Sequence, residues 1–282
     1  MIEILSSDSS YSTTRRLTNF AQSDSALCLP KDILQGGLRT RGLFKSSNER
    51  CPLITVITVV YNGMDFIEDT ILSIIKQDYD NIEYIVIDGS SSDGTLNIIK
   101  RYEHAIDYWI SDKDFGVYDA MNKGIKLSTG SWINFMNAGD SFYNESVVSS
   151  VKPFLSAEYS VVYGAKITNG LVEFPKPIAS LHLGEIFACH QSMFFGTEKI
   201  GDELIYDTRY KIYADYELLA RIERLNSSFK ETSLIISNYA DGGISSVISN
   251  QKRKDKYCSV LKHYGIIGFA KAVVHRFFRL LK

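Results

Sequence analysis

The feature that most limits what this chain can fold into lies between Leu53 and Asn137, where β-branched runs alternate with amphipathic helical patterns. LITVITVVY, residues 53–61, lacks the regular apolar-polar alternation of a strand with one wet face. Such a near-continuous run suits a strand covered on both sides. After Asn62-Gly63 comes DFIEDTILSIIKQ, in which Ile67, Ile71, Ile74 and Ile75 share one helical face and Asp65 with Glu68 resembles a capping box. IEYIVID (82–88) predicts a second strand, and GSSSDGT then turns into a helix carrying Leu96, Ile98, Ile99 and Tyr102. A short strand near DYWIS, a helix over VYDAMNKGIKL and a strand over WINFMN continue the series. Strands alternating with helices pair through right-handed crossovers, so the expected fold class is α/β, with a mostly parallel central sheet flanked by helices.

In open sheets of this kind ligands collect outside the carboxyl ends of the strands. Three predicted strand ends are polar or acidic: Tyr61-Asn62-Gly63, Asp88-Gly89-Ser90 and Asn137-Ala138-Gly139-Asp140. They are expected to converge on one crevice. There is no GxxxxGK[ST], and no GxGxxG follows the first strand, which sets aside two classes of nucleotide site. GSSSDGT could wrap a phosphate, but Asp93 would place negative charge there; an ordinary turn capped by Ser92 or Asp93 is the better reading. Asp88, ending a strand, can accept a hydrogen bond from a base N–H or a ribose hydroxyl. Asp140 suits a hard divalent cation that bridges phosphates. An acid for the nucleoside and an acid for a metal together describe a nucleoside-diphosphate site.

The chain's 282 residues, 45% of them hydrophobic, can bury one large domain with appendages. A formal net charge of -2 gives no reason to expect a nucleic-acid partner. Cys28, Cys51, Cys189 and Cys258 are scattered without CxxC or metal-ligand spacing, a pattern that suits a reducing, cytoplasmic compartment. The first ten residues have neither a basic start nor an apolar run, so no secretory signal is expected there. No stretch approaches the roughly 20 apolar residues of a membrane span. Residues 1–50 have weak periodicity and are expected to form a mobile or surface-lying extension.

Further on, YKIYADYELLARI predicts a helix with Leu218, Leu219 and Ile222 on one face. Asp215 lies at its start, where the helix dipole stabilises a carboxylate. From spacing alone Asp215 reads as an N-cap. In ACHQSMFF, His190 and Gln191 read either as the start of a core strand or as contacts to a diphosphate or acceptor sugar. Cys189 beside His190 has no other support as a thiol nucleophile.

Taken in order, ITVVYNG, VIDGSSSDGT and GVYDAMNKGIKLSTGSWINFMNAGD resemble glycosyltransferase family 2, whose members have the GT-A fold. The likeness runs from about Pro52 to Ser245 and is strongest to the bacterial branch that builds colanic acid and related surface polysaccharides. It implies that Val60, Tyr61 and Asn62 line the base pocket, that Asp88 contacts uracil or ribose, and that Asn137 to Asp140 is the metal motif, with Asp140 touching Mn2+ or Mg2+. Asn137 and Gly139 stand where the family commonly has acids, so the ion is expected to bind weakly without the nucleotide diphosphate. Met121 replaces an arginine before the retained donor-site Asn122, a loss for which Lys123 or Arg221 would compensate. Ala214-Asp215 falls on the family's Glu-Asp motif, which makes Asp215 the general base. Asp241-Gly242-Gly243-Ile244-Ser245 resembles a loop that closes over the donor, and reads equally as a plain turn.

The resemblance implies an inverting, metal-assisted transfer from a nucleotide-sugar, a UDP-sugar, to a lipid-linked oligosaccharide in surface polysaccharide assembly. QxxRW and membrane spans are absent, so one sugar per encounter is expected. The rivals are a sugar nucleotidyltransferase, whose glycine-rich loop should follow the first strand whereas GGLRTR precedes it, and a non-catalytic nucleotide-sugar sensor. Three segments are expected: an N-terminal extension (1–50), the glycosyltransferase domain (51–245, divided at 140 into nucleotide-binding and acceptor halves) and a basic amphipathic tail (246–282). In the tail, Ile266, Ala270, Val273, Phe277 and Leu281 form one stripe, widened by Ile267, Val274 and Phe278, with Lys271, His275, Arg279 and Lys282 opposite. Such a helix either lies in an anionic membrane interface, peripheral on the inner face, or packs on the domain with its charges in water. A homo-oligomer is compatible with the sequence.

Overall fold

The computed structural model describes residues 11–19, 33–225, 227–240 and 250–280. A ten-stranded mixed sheet runs through the described residues. In chain order the strands are β1 (Leu34–Gly36), β2 (Ile54–Val60), β3 (Ile82–Asp88), β4 (Tyr108–Ser111), β5 (Trp132–Phe135), β6 (Ser141–Phe142), β7 (Val161–Thr168), β8 (Leu171–Glu173), β9 (Met193–Gly196) and β10 (Phe229–Asn238). The main helices are α1 (Ile67–Ile75), α2 (Thr95–Arg101), α3 (Val117–Leu127), α4 (Val147–Val151), α5 (Ala214–Arg224) and α6 (Asn250–Leu280). Across the sheet the order is β1-β4-β3-β2-β5-β9-β7-β10-β6, with β8 paired to β7. β4, β3, β2 and β5 are mutually parallel, and β10 is parallel to β7.

Every residue of β2 and β3 is buried, as their uninterrupted apolar runs require. Ile57 and Val59 face a core shared with α3, α5 and α6, while Ile54, Val56 and Val60 face one shared with α1, α2 and α4. The sheet is therefore the middle of three layers. α3 lies so close to β2 that a Cβ on Gly124 would come within 2.5 Å of the Ile57 side chain. The register pairs Val60 with Asp88 and Asp88 with Ser111, so three strands end level. β5 ends earlier, but Met136 and Ala138 donate backbone hydrogen bonds to Ile57 and Val59. This carries residues 137–140 along the same rim.

Two local expectations are corrected. The N-cap of α1 is Phe66, with no side-chain cap, and Glu68 instead accepts hydrogen bonds from Arg101 and the Tyr102 hydroxyl. Part of the segment read as a surface extension is built into the core: β1 extends the sheet beside β4, Leu38 is buried, and the Lys45 ammonium meets Asp107 at 2.5 Å. Arg39 similarly pairs with Glu83. Their partners lie more than forty residues away, beyond the reach of local periodicity.

Candidate active site

A cleft of about 950 Å³ opens at the level strand ends. Of the residues singled out from sequence, Val60, Tyr61, Asn62, Asn137, Asp140, His190 and Asp215 line it. Tyr61 stands at 67% exposure, a flat ring free to stack on a base. Asn62 is held at φ 48° by its own hydrogen bonds: its N–H donates to Ser91 Oγ (2.7 Å) and its Oδ1 accepts from Ser92 N–H (2.9 Å).

Asp88 does not reach the cleft. It is fully buried, accepting from the Ser91 N–H (3.1 Å), the Ser91 hydroxyl and the Ser111 hydroxyl. Its carboxylate holds the 89–93 loop that in turn fixes Asn62, so it acts on the cleft wall through that loop without facing the cleft. Asp93 behaves as the capped-turn reading expects, accepting from the backbone N–H groups of Thr95 and Met64 at 3.0 Å. Asn122 is likewise a structural clasp: its amide exchanges two 2.8 Å hydrogen bonds with the backbone of Tyr206. Met121 lines the cleft, but neither expected substitute for the missing arginine does. Lys123 pairs with Asp112 (2.8 Å) and Arg221 with Glu203 (3.1 Å) and Glu217 (3.3 Å). The cations that do line the cleft are Lys166, Lys176, Lys211 and Lys252. Sequence reading missed them as a group because isolated lysines on a strand, loops and a distant helix carry no shared period.

The turn at residues 137–140 is built to present Asp140. Gly139 takes φ 100°, and Thr70 of α1 spans the turn by accepting from Gly139 N–H (3.0 Å) and donating to the Asp140 carbonyl (2.7 Å). One carboxylate oxygen accepts from Gln191 Nε2 (2.6 Å), the other from Ala240 N–H (2.9 Å). Burial raises its pKa to about 6 against the pull of these two donors. His190, its pKa lowered to about 4 by burial, is neutral and accepts from Asn137 Nδ2 (3.1 Å). Asn137 Oδ1 is then left buried without a hydrogen-bond partner. That buried oxygen, three residues before Asp140 in the same turn, is of the type a hard cation takes. Among the described residues no group of three His, Cys, Asp or Glu side chains forms a metal cage. An ion held at this turn would need its remaining ligands from outside these side chains, such as a diphosphate and water.

Asp215 lies in the first turn of α5 and not at its N-cap, which is Tyr213 with no side-chain cap. Its Oδ1 accepts from Tyr216 N–H at 2.8 Å. Burial raises its pKa to about 6, opposed by that N–H, the nearby Lys252 ammonium and the Tyr118 hydroxyl. Burial pushes the Cys189 thiol up to about 12, which keeps it protonated, and it donates to Gln191 Oε1. The Asp241–Ser245 loop lies outside the described residues.

Comparison with known proteins agrees with this geometry. The model of the family "Glycosyl transferase family 2" matches residues 55–216. An uncharacterized glycosyltransferase of Mycobacterium tuberculosis is 34% identical over 179 residues, covering 60% of this chain and 68% of the relative. A PGL/p-HBAD biosynthesis glycosyltransferase of Mycobacterium bovis is 27% identical over 215 residues, 71% of this chain and 82% of the relative. Among solved structures, the Pyrobaculum calidifontis mannosyltransferase in complex with GDP-Man and Mn2+ superposes with TM-score 0.61 at 18% identity, covering 88% of this chain and 74% of that one. S. aureus TarS 1-349 with UDP-GlcNAc gives TM-score 0.61 at 16% identity, covering 75% and 67%. The fold is that of the GT-A glycosyltransferases. The chain is a glycosyltransferase, and it belongs to glycosyl transferase family 2.

Proposed function

We propose that the protein is an inverting, non-processive glycosyltransferase that moves a hexosyl or N-acetylhexosaminyl group from a UDP-sugar to a hydroxyl of a lipid-linked oligosaccharide, at the inner face of a bacterial membrane, in surface polysaccharide assembly. The observation that carries this reading is Asp215: a carboxylate lining the cleft at the strand ends, poised near neutrality at about 6. Tyr61 stacks on the base, and the loop fixed by Asn62 and Asp88 borders it. Lys166, Lys211 and Lys252 add positive charge along the donor's path. Asp215 takes the proton from the acceptor hydroxyl as that oxygen attacks the anomeric carbon, the sugar–diphosphate bond breaking on the opposite face. A single base and no protein nucleophile give inversion. Asp140 and Asn137 would hold a divalent cation, which supplies charge to neutralise the departing nucleoside diphosphate.

The solved neighbours' complexes with UDP-GlcNAc and GDP-Man support the donor class, and the PGL/p-HBAD biosynthesis role given to the mycobacterial relative is compatible with a lipid acceptor. The test is a thermal-unfolding screen of UDP- and GDP-sugars with Mn2+. A UDP-sugar at a hundred times its Kd stabilises by about 2.7 kcal/mol and raises Tm by several degrees. If no nucleotide sugar moves Tm, the donor reading fails. If one does so but is never turned over with any acceptor, the protein is a sensor.

A further inference from the structure

The tail helix is turned the opposite way from a helix that packs its apolar face on a domain. α6 breaks at Gly265 (φ 65°, ψ −166°), and residues 266–280 form a separate helical segment. Its inward side carries Gly268 and Ala272, both buried, together with His275 and Arg279, which reach Glu185 at 3.1 and 2.5 Å. Glu185 also holds Lys176 of the cleft rim at 2.8 Å. Its outward side is apolar: Ile266, Ile267, Val274, Phe277 and Phe278 are 80, 72, 53, 61 and 61% exposed. In water alone, an amphipathic helix would present the reverse orientation.

Beside the break lies a second cavity of about 480 Å³, lined by His182, Arg224, His263 and Lys271, with Ile267 at the same wall. His182 leans on Glu223 (3.3 Å) and His263 on Glu217 (3.0 Å). Arg224 and Lys271 are exposed, and neither has an ion pair or hydrogen bond among the described residues. Ile267 belongs both to this cationic cavity and to the outward apolar face.

We propose that the tail is a membrane-docking surface: the outward face of residues 266–280 enters the interface of an anionic bilayer, and the cavity at Gly265 receives a lipid phosphate. Apolar side chains flanked by unpaired cations match acyl chains flanked by phosphates. Residues 266–280 carry Lys271, Arg276 and Arg279 and no acid, so a second copy of this segment would meet it with like charge. At about 1.5 Å per residue the segment is roughly 22 Å long, short of the roughly 30 Å hydrocarbon core. Because Glu185 holds one side of the segment to the domain and the exposed side is apolar, the segment would lie in the plane of the interface; among the described residues no helix is long and apolar enough to cross a membrane. Docking rests on the tail itself. Its use, bringing the cleft rim held by Glu185 to a lipid-linked acceptor, rests on the functional reading above.

The experiment is flotation of the full chain with vesicles of phosphatidylcholine alone or mixed with phosphatidylglycerol, without donor or acceptor, so that a wrong enzymatic reading cannot cause its failure. Wild type is expected to float with the anionic vesicles. Phe277→Ser/Phe278→Ser should lower partitioning at least about tenfold on both compositions. Arg224→Gln/Lys271→Gln should lower it roughly thirty-fold on anionic vesicles only. Unchanged melting temperatures confirm folding, and Ile266→Ser/Ile267→Ser replaces the first pair if it fails to fold. Flotation of the Phe variant equal to wild type, or no flotation of wild type, overturns the proposal. So does light scattering that shows a wild-type dimer dissolved by the Phe substitutions, because the face is then covered by a second copy. Protection by inorganic phosphate that Arg224 and Lys271 mediate, without vesicle binding, would assign the cavity to a soluble anion.

Discussion

Replacing Asp215 with Asn separates a desolvated base from a structural acid, because the two roles change stability in opposite directions. Burial raises the carboxyl from 3.8 to about 6. One pH unit of pKa corresponds to about 1.4 kcal/mol, so the ionised group costs the fold up to about 3 kcal/mol, less what water entering the cleft returns. The native state holds the proton between pH 3.8 and about 6, where the unfolded chain has already released it. Asp215 therefore makes stability fall as pH rises through that window, and the cost is complete above it. Asp215→Asn should remove this slope and raise Tm at pH 7.5 by a few degrees. Transfer should fall about 10²- to 10⁴-fold, while UDP affinity is kept. In wild type kcat should rise about tenfold from pH 5 to pH 7, as a base of pKa about 6 ionises, and the residual rate of Asp215→Asn should lose that inflection. The assays are calorimetry across pH, UDP titration and initial rates on one acceptor. A lower Tm with UDP affinity and transfer lost in equal measure would show that Asp215 is structural, and full transfer would exclude it as the base.

Three further outcomes follow from the cleft. Asp140→Asn should weaken metal-dependent UDP binding and turnover together, since the new amide sets an N–H against Gln191 Nε2 or Ala240 N–H; full activity in excess chelator would refute the metal assignment. Asp140 also titrates near 6, so metal-dependent UDP binding should strengthen as pH rises through that value, and a flat binding profile from pH 5 to 8 contradicts this. Asp88→Ala leaves the Ser91 and Ser111 donors unsatisfied in a buried site, which should cost about 1–3 kcal/mol and raise KM for every nucleotide sugar alike. A selective change in base preference, read by competition among UDP, CDP and GDP, would instead place Asp88 on the base.

The layers of this molecule were legible locally. The unbroken runs at 53–61 and 82–88 and the isoleucine face of α1 encode burial in neighbouring residues, and the structure buries them as those patterns require. The polar strand ends at Tyr61-Asn62 and Asn137–Asp140 were equally readable, because a carboxyl-end rim follows from parallel strand order. What a polar residue does on that rim was settled only by distant partners. Asp88 turns into a cage completed by Ser111, twenty-three residues on, and Asn122 binds Tyr206, eighty-four residues on. The lysines of the cleft come from four separate segments. Amphipathicity in 266–280 likewise defined two faces but not which one packs: Glu185, ninety residues before His275, draws the charged face inward and leaves the apolar one outside. Periodicity reports that a side chain has a preferred environment, and only the assembled chain decides which neighbour supplies it.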